Sequence, residues 1–504
     1  MPEKHAMDVD PTSMAKQLIA TLGAAQVLQV ARESRWLRRL RDITPLALVV
    51  ACLSTLGASK ATWIADILRT FNAFTGLSVR YKPFHNQLRK AAFPEFMRRL
   101  LERTLQKMTR PVLAAGLGSK LGRFRDILLH DGSSFALKDG LKKEWPGRFT
   151  KVSPAAVELH VTMSAFDDNP ISITLAPDKE AERALGPKAE DLRDCLVLED
   201  RGYEHRQFFL DMQKAGGFFI VRGNKAIRPR ISKAHDQRGR RLRHLEGKAL
   251  SWETLPSRTV DVAIEWRAGA ETYRGRLVAL YKRGRRNEKT FVYLHTNLER
   301  AEFSPAEIGK LYRLRWQIEL LFKECKSHAN LHRFDTEQSA IAEGLIWASM
   351  LVVVLKRAIT HAAQLAIGIE LSTQRAASCA KHVLDDILRS LLHDVGKLAG
   401  AISRACIFLG ENSRRAHPKR DRLRGRLSSG LVPLGTRSAN SSSDSDPGSA
   451  NRFRIGIRRP VAGVGTRAPA TGARPPESES ANGAPIAALR NRNRRAEPGS
   501  LLCA

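Results

Sequence analysis

The chain has 504 residues, enough for two to four domains with real cores. Its 84 Lys and Arg against 51 Asp and Glu leave a formal charge of +33, which favours a polyanionic partner, because each neutralised phosphate releases condensed counterions. Six cysteines (52, 195, 325, 379, 406 and 503) with no Cys-x-x-Cys pair argue against a zinc module or a disulfide framework and for a reducing cytosol; ribosomal, membrane-surface and nucleic-acid-enzyme classes stay open.

The polar start MPEKHAMDVDPTSMAKQ carries no signal-peptide core, and the apolar runs 46–56 and 346–355 are too short to span a bilayer. A soluble, cytoplasmic protein without a membrane partner is expected. Residues 1–118 read as helical, with apolar positions recurring at three and four in MAKQLIATLGAAQVLQVARE and FPEFMRRLLERTLQKM. Between them a helix, a break at Thr75-Gly76 and a basic helix fit either of two arrangements. One is a helix-turn-helix offering Arg80, Lys82, His85, Gln87, Arg89 and Lys90 to a groove; the other is a helical bundle with a solvated basic face.

The texture changes near Arg123. FRDILLHDGSSFALKD reads as a strand running into a loop, AAVELHVTMSAF alternates Val157, Leu159, Val161 and Met163, and PISITLAP is a third strand. A polar stretch, helical in parts, precedes the short strand CLVLED, the amphipathic helix YEHRQFFLDMQKAG and the strand GGFFIVRGN. Early hairpins followed by helical crossovers predict a mixed α/β sheet over 119–224. Residues 225–300 (RTVDVAIEWRAG, TYRGRLVALYKRG, KTFVYLHTNL) predict an inserted antiparallel β subdomain, and 301–410 a return to helix. From 411 to 504 apolar periodicity gives way to Arg, Pro, Gly, Ser and Ala, a composition expected to be disordered and resembling GC-rich sequence translated in a non-ancestral frame.

The helix expected after Ser304 has a marked start: a capping serine, Pro305 at the first position and Glu307 three residues after the cap. Within it Tyr312, Arg315, Glu319 and Lys326 fall in an arc of roughly 60°. The opposite face, Leu314, Ile318, Leu321 and Cys325, reads as core-facing. Trp316 and Phe322 border the stripe and are expected to pack at its edges. Two strand-borne carboxylates join Glu319 as candidates: Asp131 in ILLHDGSSF, with Asp126 and Asp139 as competitors, and Asp200 in LVLEDRGY, with Glu199 and Asp194 as competitors. His130 and His160 read as strand residues. Three carboxylates are hard oxygen ligands suited to two divalent ions about 3.5–4 Å apart, and Arg315 and Lys326 suit neighbouring phosphates.

Tyr312-x2-Arg315-x3-Glu319-x6-Lys326, in LYRLRWQIELLFKECK, resembles the signature of the bacterial insertion-sequence-4 type DDE transposases, and HDGSSF and LEDRGY resemble that family's two aspartate motifs. The resemblance covers roughly residues 70 to 400. It implies an RNase H-like core, interrupted before the glutamate by a β insertion and preceded by a helical DNA-end-binding domain. It further implies cut-and-paste transposition by a dimer on double-stranded DNA, Mg²⁺-dependent with Mn²⁺ able to substitute, in the nucleoid-associated cytoplasm. On the same resemblance Asp131, Asp200 and Glu319 are the metal ligands. Tyr312, Arg315 and Lys326 contact terminal phosphates or position a flipped base, and Arg222 lies near the cleaved strand. Trp252, Trp266, Phe291 and Tyr293 are all candidates to stack on an extruded base. Two rival readings are a DNA-binding regulator or decayed transposase without catalysis, and a structure-selective nuclease on the same core.

Overall fold

The structure, a computed structural model, describes residues 11–58, 63–180, 182–268, 270–284, 288–331, 334–415, 429–434 and 454–457. Six helices come first: α1 (Pro11–Leu22), α2 (Ala24–Glu33), α3 (Pro45–Gly57), α4 (Ile64–Thr75), α5 (Tyr81–Leu88) and α6 (Phe93–Met108). Their ends follow the local chemistry. Thr44 accepts a hydrogen bond from the Ala47 N–H and Pro45 takes the first position of α3. Gly76, at φ +70°, supplies the left-handed residue that ends α4. All thirteen residues of α3 are buried, so this helix is the centre of the bundle rather than a surface element.

A short β1 (Leu113–Ala115) leads into β2 (Asp126–Ala136), β3 (Ala156–Ser164), β4 (Asn169–Pro177) and β5 (Cys195–Glu199). Then follow α7 (Arg206–Ala215), β6 (Phe218–Gly223), β7 (Arg230–Asp236), β8 (Val260–Ala268), β9 (Glu271–Arg283) and β10 (Lys289–Thr296). The helical part comprises α8 (Pro305–Tyr312), α9 (Trp316–His328), α10 (Ser339–Ile367), α11 (Thr373–Cys379), α12 (Leu384–His393) and α13 (Leu398–Asn412). Two short strands close the described chain, β11 (Leu431–Pro433) and β12 (Arg454–Ile457).

Ten strands form one mixed sheet in the order β12-β4-β3-β2-β5-β6-β10-β9-β8-β7. β2, β3 and β4 are antiparallel neighbours, β5 and β6 join as parallel strands beside β2, and β10, β9, β8 and β7 continue antiparallel from β6. The region read as a separate β insertion therefore extends the central sheet through the β6–β10 pairing, Tyr293 opposite Gly223 to Thr296 opposite Ile220. β7 escapes the hydrophobic pattern because it is an edge strand. Arg230, Ser232 and Lys233 are exposed, and the register shifts between Ile231 and Lys233.

Strand alternation divides the apolar side chains between two faces. Ile127, Leu129, Leu196 and Leu198 join a core continuous with α8, α9, α10 and the N-terminal helices. Leu128, Val197, Phe209, Phe219 and Val221 join a second core with α7 and the β7–β10 strands. α10, 29 residues long, packs against α3, α6, α9 and α13. The run 346–355, too short on its own to span a bilayer, lies within this longer helix, which is apolar enough to cross a membrane by length and composition, yet it is buried in the fold. Its buried Glu343, Lys356 and Arg357 mark a core helix held by polar partners.

The tail expectation over 411–504 falls mostly outside the described residues. Where the tail is described, β11 pairs antiparallel with β1 and β12 parallel with β4.

Candidate active site

The polar stripe is carried by two helices joined by a tight 3₁₀ turn, Arg313–Arg315, in place of the single helix its periodicity suggests. The backbone stays right-handed helical through Arg313, Arg315 and Trp316, so the stripe keeps its direction. Ser304 and Glu307 form the expected capping box, with Lys120 bonded to Glu307 from across the fold. Leu314, Ile318, Leu321 and Cys325 are buried as expected. Phe322 is also buried, a core residue rather than an edge one, while Trp316 is exposed and lies under the Lys323 ammonium, 4.7 Å from its ring centroid.

Asp131 lies on β2 with the alternation of Ile127 and Leu129, the face toward α9. Asp200 directly follows β5, the parallel neighbour of β2, and opens a 3₁₀ turn. Both aspartates lie one residue beyond the paired His130 and Glu199. Arg315 joins two of the three elements: its Nη1 donates to Asp131 Oδ2 at 2.8 Å and its Nη2 donates to Glu319 Oε1. Asp200 Oδ1 accepts from Tyr312 Oη at 3.2 Å and from Arg222 Nη1 at 3.5 Å. The Arg315 guanidinium also stands 5.9 Å from the Tyr312 ring centroid. Six of the seven sequence candidates thus meet around one cluster. Lys326 is set apart, donating to the Ser134 carbonyl at 3.2 Å, further along β2.

The electrostatics follow from this packing. Burial pushes the Asp131 carboxyl up to about 6; Arg315 and the Gly132 N–H oppose that rise, and Asp200 and Glu319 add to it. Burial also raises Asp200, but Arg315, the Arg201 N–H, Arg222 and Tyr312 outweigh it and hold the carboxyl below its ordinary value. Burial pushes the Tyr312 phenol up and lowers the Lys326 ammonium. Among the described residues no three acidic, His or Cys groups stand close enough to hold a metal ion as placed. The Arg315 guanidinium occupies the space between Asp131 and Glu319. The donor chemistry nonetheless fits a hard divalent cation: three carboxylates from β2, the end of β5 and α9 converge on shared cationic partners.

The competing acids serve other ends. Asp126 is buried and accepts from Ser164 Oγ and the Ile127 N–H, Asp139 sits exposed in a turn, and Asp194 is exposed at φ +59°. Glu199 lies with Cys195 and Val197 on the opposite face of the sheet, fully buried; burial, then the Asp131 charge, pushes its carboxyl up to about 8. His130 and His160 are buried strand residues, bonded to Thr162 Oγ1 and Tyr203 Oη. Of the four aromatics of the β region, Phe291 and Tyr293 are buried, Trp266 is stacked between Arg206 and His295, and Trp252 is 40% exposed. Residue spacing placed Arg315 beside Glu319 on one stripe but gave no sign of its contact with Asp131, which joins positions 184 apart.

Residues 122–355 match the family described as Transposase DDE domain. The transposase for insertion sequence element IS421 of Escherichia coli is 39% identical over 64 residues, 13% of this chain and 17% of that protein. InsL for insertion sequence element IS186A of Escherichia coli (strain K12) gives the same identity and coverage. The chain thus spans only 17% of the length of these relatives. A cryo-EM structure of the piggyBac transposase synaptic complex with hairpin DNA gives a TM-score of 0.40 at 12% identity, covering 79% of this chain and 85% of that one. The family match covers just under half of the chain, and the matched residues contain all three carboxylates of the cluster.

Proposed function

We propose that this chain is a transposase of the insertion-sequence-4 type, cutting DNA at the ends of a mobile element and joining them to a target. The observation that carries the reading is the convergence of Asp131, Asp200 and Glu319 on Arg315, Tyr312 and Arg222. The strand order β4-β3-β2-β5-β6, with β5 and β6 parallel to β2, supports an RNase H-like core. In this reading 1–118 binds the element end, 119–224 and 301–410 form the core, and 225–300 is the β insertion. The protein works as a homodimer in the nucleoid-associated cytoplasm, and Trp252 is the accessible aromatic for an extruded base.

Asp131, Asp200 and Glu319 are the residues that would hold two Mg²⁺ ions, with Mn²⁺ able to substitute. Such a pair supplies an activated water or 3′-hydroxyl and a stabilised leaving oxygen. The chain's own groups do the positioning. Arg315, a planar fork, is placed to exchange its carboxylate partners for two oxygens of one phosphate. Arg222 and Tyr312 hold Asp200 in its ionised form and aim it at the same space. Lys326, anchored on β2, offers a point charge to the next phosphate along the strand.

Asp131→Asn, Asp200→Asn and Glu319→Gln should each abolish Mg²⁺-dependent end cleavage and strand joining while leaving end binding near wild type. Loss of binding in all three would make the cluster structural. Cleavage without joining by the wild-type protein would favour a nuclease, and binding without either reaction a regulator.

A further inference from the structure

The N-terminal helices hold a second charged site, built from residues other than the carboxylate cluster. A cleft of about 1180 Å³ opens between the segment 35–43, which links α2 to α3, and the segment 77–92 around α5. Its lining includes Arg35, Arg38, Arg39, Arg41, Arg80 and Lys90 against one acid, Asp42. All five arginines are exposed, and among the described residues none of them has an ion-pair partner. We propose that this cleft holds the sugar-phosphate backbone of duplex DNA as a sequence-independent clamp.

The fold gives this site a fixed frame. Arg35 adopts φ +60°, a left-handed conformation that turns the chain sharply out of α2. Trp36, fully buried, then fixes the turned segment: its ring stacks on Phe96 at 4.9 Å and its Nε1 donates to the Gln87 carbonyl at 3.0 Å. Lys90 returns the contact, donating to the Trp36 carbonyl at 3.0 Å with its ammonium 4.8 Å from the Trp36 ring centroid. The arginines at 38, 39 and 41 are therefore presented from a short loop pinned at its start. Burial first, then Arg38 and Arg41, lower the Lys90 ammonium, so the cations are close enough to repel one another. Holding six cations together against a single acid costs free energy that a polyanion would return.

The choice of backbone over bases follows from the lining. Arginine and lysine suit phosphates, whereas the amide side chains that read adenine are represented only by Gln87. This also moves the expected basic face: of the residues offered to a groove by the sequence, Arg80, Gln87 and Lys90 line the cleft, whereas Lys82, His85 and Arg89 do not. Duplex DNA as the occupant rests on the transposase reading; the anionic character of the occupant rests on the cleft alone.

The test uses the full chain carrying Asp131→Asn, so that binding is read without cleavage. A fluorescein-labelled duplex of arbitrary sequence is titrated by anisotropy between about 50 and 200 mM salt. The variant Arg38→Gln/Arg39→Gln/Arg41→Gln should weaken binding at low salt and reduce the slope of log affinity against log salt by about one for each phosphate that is no longer neutralised. It should do so equally for an arbitrary duplex and for element-end DNA. Arg193→Gln/Lys397→Gln, outside the cleft, should leave the slope unchanged, and matching circular dichroism and melting profiles exclude misfolding. An unaltered slope in the triple variant overturns the proposal. So does a loss confined to element-end DNA, which would make the cleft a base reader, or a preference for an RNA duplex over DNA. If the clamp fails while wild-type protein still cuts and joins DNA, the transposase reading stands without it; the reverse result separates them equally well.

Discussion

Replacing Glu199 by glutamine separates the two acids of the LEDRGY segment by their opposite burial. Glu199 is 1% exposed, and its Oε2 meets no hydrogen-bond partner among the described residues. Its carboxyl is pushed from an ordinary 4.5 to about 8, by burial first and then by the Asp131 charge. The folded value lies above the unfolded one. Stability from this group is therefore complete below about 4.5 and is lost as pH rises toward about 8, because the unfolded chain ionises freely there and the folded chain does not. At 1.36 kcal/mol per pKa unit, the span from 4.5 to about 8 sets a ceiling of about 5 kcal/mol.

Glu199→Gln keeps the shape and removes the charge. Urea unfolding should show the variant gaining stability over wild type at pH 8 and little at pH 5, with a flatter pH profile. End cleavage should persist, because the side chain lies on the face away from Asp131 and Asp200, whereas Asp200→Asn should abolish it. A Glu199→Gln protein that folds normally but no longer cuts DNA would refute the assignment of Asp200. An unchanged stability profile would refute the burial argument.

Three other perturbations have defined outcomes. The Arg357 guanidinium grips Glu324 at 2.7 and 3.1 Å with both residues buried, so Glu324→Ala should cost about 3–5 kcal/mol in chemical unfolding, and Glu324→Leu/Arg357→Met should recover most of it. A Cβ at Gly344 would stand 2.2 Å from Phe93 Cδ1, so Gly344→Ala should lower the melting temperature despite alanine's better helix propensity, and Phe93→Leu should partly restore it. Lys356, buried and bonded to the carbonyls of Gly57, His328 and Ala377, has its ammonium lowered to about 7 by burial, with Glu324 opposing and Lys381 adding. The unfolded chain binds the extra proton between about 7 and 10.5, so stability should rise with pH across that window. Lys356→Met should abolish that rise in pH-dependent melting.

Periodicity made the site helix, its cap and the early strands legible, because Leu314, Ile318, Leu321 and Cys325 on one side and Val157, Leu159 and Val161 on another are buried for reasons local to each element. Asp131 and Asp200 could be placed at strand positions for the same reason. What stayed illegible was set by partners distant in the chain. β7 is polar at its edge and is held by pairing with β8 rather than by its own pattern. β11 and β12 draw their definition from β1 and β4. The segment 35–43 carries no periodic signal, and only the contacts of Trp36 with Phe96 and Gln87 fix where its arginines point.

The buried charges of α9 and α10 address a problem that the apolar face of α9 leaves open. Leucine, isoleucine and cysteine side chains tolerate small rotations and slides of a helix, because dispersion contacts are non-directional. On the proposed reading Glu319 needs a fixed direction, since its carboxylate would have to meet Asp131 on β2 and Asp200 at the end of β5. Five residues on, Glu324 is held by both nitrogens of the Arg357 fork, and Arg357 also donates to the carbonyl of Asp168, whose side chain meets His361 at 3.2 Å. These bonds tie α9 to α10 and to the β3–β4 turn in a single register, a specificity that apolar packing alone does not impose. The Glu324→Leu/Arg357→Met protein therefore has two separable properties. Its stability should approach wild type, while end cleavage should fall because Glu319 is no longer held in rotation. Full cleavage in that variant would mean that the Arg315 contact with Asp131 and Glu319 orients the helix on its own.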